Sequence, residues 1–307
     1  MANDFALATY HIEDNMRTRK CVLLLSILVS SFALTSVLAY AQAPPPTPLV
    51  VKKISDNVYW TQGGAGGNTG IIIGKDGVIV VDAKTTADSA REVLTEIAKL
   101  TSKPVTTAIL THSDGDHVNG LAAFPTSVTV IAQTNCKAEM EATAGGRNPF
   151  PKEHLPTKLV DMKESLTING IRFQLLHFAP AHTAGDLVVY LPDQKVAFTG
   201  DIVVTNQPDP YPIIHLNKHG TTDGWVQTMR GIIALKANNF VPGHGDMQTK
   251  ASLQKLLASA QDRREQIKKL VAQGKPLTDV KAALGESTAP AQPQSFTEVV
   301  FIESSKS

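Results

Sequence analysis

The sequence predicts a mixed α/β or α+β domain in which helices cover sheets, and three observations carry that prediction. Short apolar strands come in hairpin pairs, they alternate with strand–helix units, and the same rhythm runs twice, near 50–150 and 158–250. Two halves of one rhythm suggest sheets packed back to back. The chain of 307 residues is 42% hydrophobic and 19% charged, which removes disordered, collagen-like and coiled-coil readings.

Each element follows from local pattern. Segments 58–60, 70–73 and 78–82 read as strands, the last two joined by the tight turn Lys75-Asp76-Gly77. Val93, Leu94, Ile97 and Leu100 share one face of a helix over 86–100. Strand 105–110 then enters a polar loop. Segment 128–132 is a strand, 135–144 a helix and 145–156 an irregular Gly/Pro-rich loop. Strands follow at 158–161, 166–178, 186–191 and 196–199. A helix over 223–235, with Asp223 as its cap, leads to strand Phe240-Val241 and an amphipathic helix over 250–272. The low-complexity stretch 286–295 lies in an extension, 274–307, expected to be partly mobile.

The front of the chain is of another kind. Arg17, Arg19 and Lys20 precede an uncharged apolar run from Cys21 to Leu38, and Ala39-Tyr40-Ala41 then offers small residues for cleavage. This order predicts a signal peptide over 1–41, with Met16 as an alternative start, and a periplasmic or secreted mature protein. The competing reading is an uncleaved anchor, since 18 apolar residues nearly span a bilayer. A stiff Pro-rich tether over 42–49 follows, then a catalytic-sized domain over 50–273.

Charge narrows the partners. With 29 basic and 28 acidic residues no global field draws in nucleic acid, and no stable membrane partner is expected once the signal is cut. Cys21 and Cys136 are too few for a disulfide framework or a Cys-rich zinc site. A small-molecule substrate remains.

The chemistry concentrates in Thr111-His112-Ser113-Asp114-Gly115-Asp116-His117, where four potential metal ligands fall within six residues after an apolar strand. Imidazole suits zinc or iron and carboxylate suits harder ions, so the mixture points to one or two transition metals. Three further stretches share the strand-then-polar-loop character: His182-Thr183-Ala184-Gly185-Asp186, Thr199-Gly200-Asp201 and Pro242-Gly243-His244-Gly245.

Taken in order, these motifs resemble the metallo-β-lactamase superfamily, whose signature is His-x-His-x-Asp-His followed by a distant His, an Asp or Cys, and a final His. The similarity runs from Val51 to Gly245 and includes the Gly63–Gly67 turn with Asn68 and the strand ending in Asp82. The resemblance implies a four-layer αβ/βα sandwich and two divalent ions, zinc with iron or manganese as alternatives. It implies that His112 and His182 bind the first ion, that Asp116, His117 and His244 bind the second, and that Asp201 bridges. Asp116 is also the candidate to orient water or pass a proton. One position departs: Asp114 stands where the family usually has His, as a further ligand that adds negative charge and puts metal identity in question.

Asp at 201, where β-lactamases of this superfamily carry Cys or Ser, resembles lactonases and thioester hydrolases. Export disfavours cytosolic thioesters and leaves N-acyl homoserine lactones as the expected substrate, opened by metal-activated water. Val204 counts against this, because well-known lactonases have Tyr there. The alternatives are a β-lactamase, a thioester hydrolase, and a non-hydrolytic binding or accessory protein with a weakened site. His154, His177, His215 and His219 match no motif and are expected to be structural or surface residues, while Trp60, Phe150 and Tyr211 are candidates to rim an apolar pocket.

Overall fold

The computed structural model describes residues 47–143, 150 and 152–305. The expected signal peptide lies outside the described residues, as does half of the loop expected over 145–156. Strands β1 (Val50–Ser55), β2 (Val58–Gln62), β3 (Thr69–Ile73), β4 (Val78–Val81), β5 (Val105–Ile109), β6 (Thr129–Gln133) and β7 (Lys158–Val160) form one sheet in that spatial order. Pairing is antiparallel from β1 to β4 and parallel from β4 to β7. Strands β8 (Lys163–Ile168), β9 (Ile171–Leu176), β10 (Val188–Leu191), β11 (Val196–Val204) and β12 (Asn239–His244) form the second, antiparallel except for the β11–β12 pair.

Period-two alternation builds the layers. Along β4, Val78 and Val80 face outward to a helical layer, and Ile79 and Val81 face the other sheet. Both faces are apolar because both are covered. Helices α1 (Ala87–Leu100) and α3 (Thr134–Thr143) cover the first sheet, with Val93, Ile97, Cys136 and Met140 in its outer core. A short helix, α2 (Gly115–Val118), lies between them in the chain. Helices α4 (Thr222–Ala234), α5 (Lys250–Ala272), α6 (Leu277–Ala283) and α7 (Phe296–Ser304) cover the second sheet. Phe173, Leu175, Val189, Leu191 and Phe198 meet Trp60, Ile72 and Ile109 between the sheets. This is the expected αβ/βα sandwich.

Several details differ from expectation. The single strand expected over 166–178 is a hairpin, because Asn169 and Gly170 take φ of 49° and 78° and turn the chain between β8 and β9. The cap of α4 is Thr221, whose hydroxyl accepts from Gly224 N at 3.0 Å. Asp223 sits within the first turn, two residues past the cap, and pairs with Arg264. Beyond 274, α7 opens with a capping box between Ser295 and Glu298. Buried Glu298 accepts from Lys281 Nζ at 2.9 Å and from Ala291 N at 3.2 Å, which ties the 286–295 stretch to the body.

Candidate metal centre

The site sits where the two sheets meet at one edge. Beyond β4 lies Asp82, beyond β5 lie Thr111 and His112, and α2 presents Asp116 and His117. The loop after β9 carries His182, and β11 and β12 carry Asp201 and His244. Local devices aim each side chain. The Asp186 carboxylate accepts from Thr183 N at 3.1 Å and Thr183 Oγ1 at 2.9 Å, shaping the turn that presents His182. Gly200, at φ 52°, interrupts the β11–β12 register just before Asp201, and a Cβ there would overlap the Thr111 side chain. A Cβ at Gly67 would overlap the His117 ring, so the Gly-rich turn is a cradle for that imidazole.

All seven residues singled out as metal ligands converge. Two groups form, His112–Asp114–His182–Asp201 and Asp116–His117–His244, each with donor atoms within 4.8 Å of one another. Asp201 faces both: Oδ1 lies 3.2 Å from His117 Nε2, and Oδ2 lies 3.6, 3.9 and 4.0 Å from the Nε2 atoms of His244, His112 and His182. Asp114 Oδ2 is 3.1 Å from His182 Nε2 and 3.7 Å from His112 Nε2. These separations bracket the ~3.3 Å expected between tetrahedral ligands that share an ion at about 2.0 Å.

Two further observations fit a metal. His112 Nε2 and Asp201 Oδ1 are buried without a hydrogen-bond partner, which protein interiors rarely tolerate. The outward nitrogens are also committed elsewhere. His117 Nδ1 meets Asp82 Oδ2 at 2.8 Å and His182 Nδ1 donates to Ile213 O at 2.9 Å. Thr111 Oγ1 donates to Asp82 Oδ2 at 2.7 Å and lies 3.0 Å from His112 Nδ1. Donation from each Nδ1 leaves three Nε2 lone pairs directed inward, as metal binding requires.

Electrostatics are strongly coupled. Burial raises the Asp201 carboxyl, but His117, His112 and His182 outweigh it and hold the group well below the usual carboxylate range. Asp114 is likewise held down by His112, His182 and His215 against burial. Burial lowers His182, yet Asp114 and Asp201 push it up to about 9. His117 is raised by Asp201 and Asp82 despite complete burial.

Three residues at the site, His215, Lys218 and Lys84, went unrecognised in the sequence, and a fourth, Asn68, was read only as part of the Gly-rich turn. His215 places Nδ1 at 3.3 Å from Asp114 Oδ2, where a structural or surface role had been expected. Lys218 Nζ lies 2.5 Å from Asp114 Oδ1. Lys84 is buried and donates to Gly63 O at 2.8 Å and Gly67 O at 2.7 Å, and Asn68 Nδ2 donates to Pro242 O at 2.9 Å and Gly245 O at 3.1 Å. No local pattern marks the first two; the Gly-rich turn was the available signal for the last two. His177 and His154 are buried away from the centre, as expected, with His177 Nδ1 donating to Asp186 O at 2.8 Å. Trp60 and Phe150 are core residues and Tyr211 stacks on Phe296, so none of the three aromatics forms the rim. The rim is instead a cleft of about 550 Å³ whose lining includes Asp114, Asp116, Ile214, Leu216, Gln292 and Gln294.

Comparison with known proteins agrees with this geometry. The sequence profile of the Metallo-beta-lactamase superfamily matches residues 63–244. The chain is 26% identical over 216 residues to the linear primary-alkylsulfatase of Pseudomonas sp. (strain ATCC 19151), which covers 55% of this chain and 40% of that protein. It thus spans less than half the length of that relative. Over 239 residues it is 26% identical to metallo-beta-lactamase type 2 of Elizabethkingia meningoseptica, covering 75% and 91% of the two chains. The structure of a metallo-beta-lactamase from Pontibacter korlensis matches with a TM-score of 0.59 at 22% identity, covering 69% of this chain and 98% of that one.

Proposed function

Because the chain belongs to the metallo-beta-lactamase superfamily, we propose that this hydrolase opens a cyclic carboxylic ester, with N-acyl homoserine lactone as the substrate class. The observation that carries the reading is Asp116. Of the three carboxylates in the centre it is the accessible one, 37% exposed against 13% for Asp114 and 8% for Asp201. It reaches the cleft and lies 2.9 Å from His244 Nε2.

Divalent ions held by His112, Asp114, His182, Asp201, Asp116, His117 and His244, zinc or alternatively iron or manganese, would supply Lewis acidity toward water and the ester carbonyl. Asp116 takes the proton from the attacking water and returns it to the departing ring oxygen, a role that needs both solvent access and a carboxyl ionised at neutral pH. Burial raises that carboxyl, but His244 and His117 lower it further, so it is ionised. Ile214, Leu216 and Pro293 give the acyl tail an apolar wall, and the Gln292 and Gln294 amides can meet its amide. The product is a γ-hydroxy acid.

Mass spectrometry of N-acyl homoserine lactone incubated with enzyme tests the proposal. Gain of one water, reversed by acidification, is expected; release of the free fatty acid would overturn it. β-Lactam hydrolysis is the second reading, favoured by the match to the Elizabethkingia β-lactamase over most of both chains. Nitrocefin turnover without lactone turnover would select it. An alkyl sulfate belongs in the same panel, given the alkylsulfatase relative. Export is part of the proposal: N-terminal sequencing from an exporting host should find Gln42 or Pro44 first, and an intact 16–41 segment would refute it.

A further inference from the structure

We infer that Lys218 is the built-in counter-charge that lets a carboxylate at position 114 occupy a place otherwise suited to a neutral imidazole. The inference rests on the metal-holding reading of the site but not on the substrate.

The contact is direct and held from both ends. Lys218 Nζ sits 2.5 Å from Asp114 Oδ1 and donates to Ser113 Oγ at 2.9 Å, with only 18% of the lysine side chain and 13% of the aspartate exposed. Lys218 ends a short 3-10 turn, Leu216–Lys218, that is stitched to the histidine loop. Its carbonyl accepts from Ala184 N at 2.8 Å, and His215 N donates to His182 O at 2.9 Å. The turn that carries Lys218 is therefore braced against the loop that carries His182. Ser113 Oγ donates onward to Glu139 Oε2 at 2.5 Å, which keeps its lone pairs turned to Lys218.

Two consequences follow for Asp114. With Oδ1 taken by the ammonium, Oδ2 is the oxygen left to face His182 and His112, so the carboxylate acts as a one-atom donor in the geometry of an imidazole nitrogen. The charge is also restored. Two neutral imidazoles with Asp114 and Asp201 carry −2, and Lys218 returns the group to −1, the value of a set with three imidazoles and one carboxylate. His215, the remaining polar neighbour of Asp114, adds no charge when neutral.

A cycle of variants tests this on metal-stripped protein, using chelator competition with Zn2+ and elemental analysis after dialysis, with no substrate present. Asp114→His alone leaves the ammonium uncompensated beside the ion and should weaken first-site Zn2+ binding about tenfold or more. Adding Lys218→Met should restore wild-type affinity. Lys218→Met alone should tighten binding, and Lys218→Arg, which keeps the cation, should leave it unchanged and thereby controls for packing. A double variant that binds no better than Asp114→His alone would overturn the proposal, as would equal losses in the Arg and Met variants. Wild-type protein that takes up no divalent ion would overturn this proposal and the metal reading together, whereas failure on the lactone panel would leave it standing.

Discussion

Asp82 grips His117 from behind: its Oδ2 lies 2.8 Å from His117 Nδ1, while Oδ1 accepts from Thr111 N at 2.8 Å. One buried carboxylate thus orients an imidazole and braces the strand end that carries His112. Asp82 holds this position at φ 64°, a conformation that Asn also tolerates. Asp82→Asn should therefore keep the backbone but weaken the hold on His117, lowering metal affinity about 10–100-fold. Chelator competition measures this, and an unchanged dissociation constant would remove Asp82 from the metal centre's support.

Asp201→Ala should cost several orders of magnitude in rate and leave one ion per chain where two are expected in the wild type. The reason is its position between the two ligand groups, one oxygen toward His117 and the other toward His112 and His182. Elemental analysis alongside single-turnover rates decides it; two ions retained would mean that Asp201 does not join the groups.

Without metal, protons take the ions' place. His182 is raised from 6.5 to about 9 and His117 is raised as well, so the metal-free native state binds more protons than the unfolded chain above pH 6.5. By linkage this stabilisation is full below about pH 6.5 and is lost as pH rises toward 9. The melting temperature of chelated protein should fall between pH 6.5 and 8, a window that ends where Lys84, lowered to about 8 by burial, begins to act in the opposite sense. Metal binding at pH 7 should release about two protons per chain, seen as a buffer-dependent calorimetric heat. A heat independent of buffer would contradict this.

Lys84→Met should destabilise the fold by about 1–3 kcal/mol, because the Gly63 and Gly67 carbonyls lose their donor inside the protein. Gly67 N in turn donates to Asp116 O at 3.1 Å, so the slackened turn should also lower activity. Urea unfolding and steady-state kinetics measure the two effects. A midpoint at or above the wild-type value would show that burying the ammonium costs more than its hydrogen bonds return.

Gln292→Ala and Gln294→Ala should raise KM for the acyl lactone several-fold while kcat stays within a factor of about two, since both line the cleft and neither reaches the ligand groups. Equal falls in kcat with an unchanged KM would place substrate elsewhere.

Much of this was legible in the linear chain because it is encoded locally. Continuous apolar runs such as 78–81 write strands with two buried faces, and 3.6-residue spacing writes α1 and α5, so helices over sheets follow from local pattern, while the four-layer order came from the family resemblance. His112, Asp114, Asp116 and His117 lie within one turn after a strand, where short-range geometry brings donor atoms together whatever the rest of the chain does. His182 and His244 were readable as residues at or beyond strand ends with small neighbours, whereas Asp201, expected to close a strand ending at 199, lies inside β11, which runs on to Val204 past the irregularity at Gly200. The Asn169-Gly170 hairpin was also written locally, as a turn dipeptide inside a longer apolar run.

Tertiary structure alone decided what surrounds those donors. Lys218 meets Asp114 across 104 positions and Lys84 meets the Gly-rich turn across 17 to 21, contacts that no periodicity announces. Nor could spacing tell that Gln292 and Gln294 would close the cleft while Trp60 and Phe150 went to the core. The physical reason is the range of the interactions. Backbone pairing and apolar periodicity act between near neighbours and leave a pattern in the chain. Charge compensation and cleft shape depend on which distant loops the packed sheets bring within a few ångströms of each other.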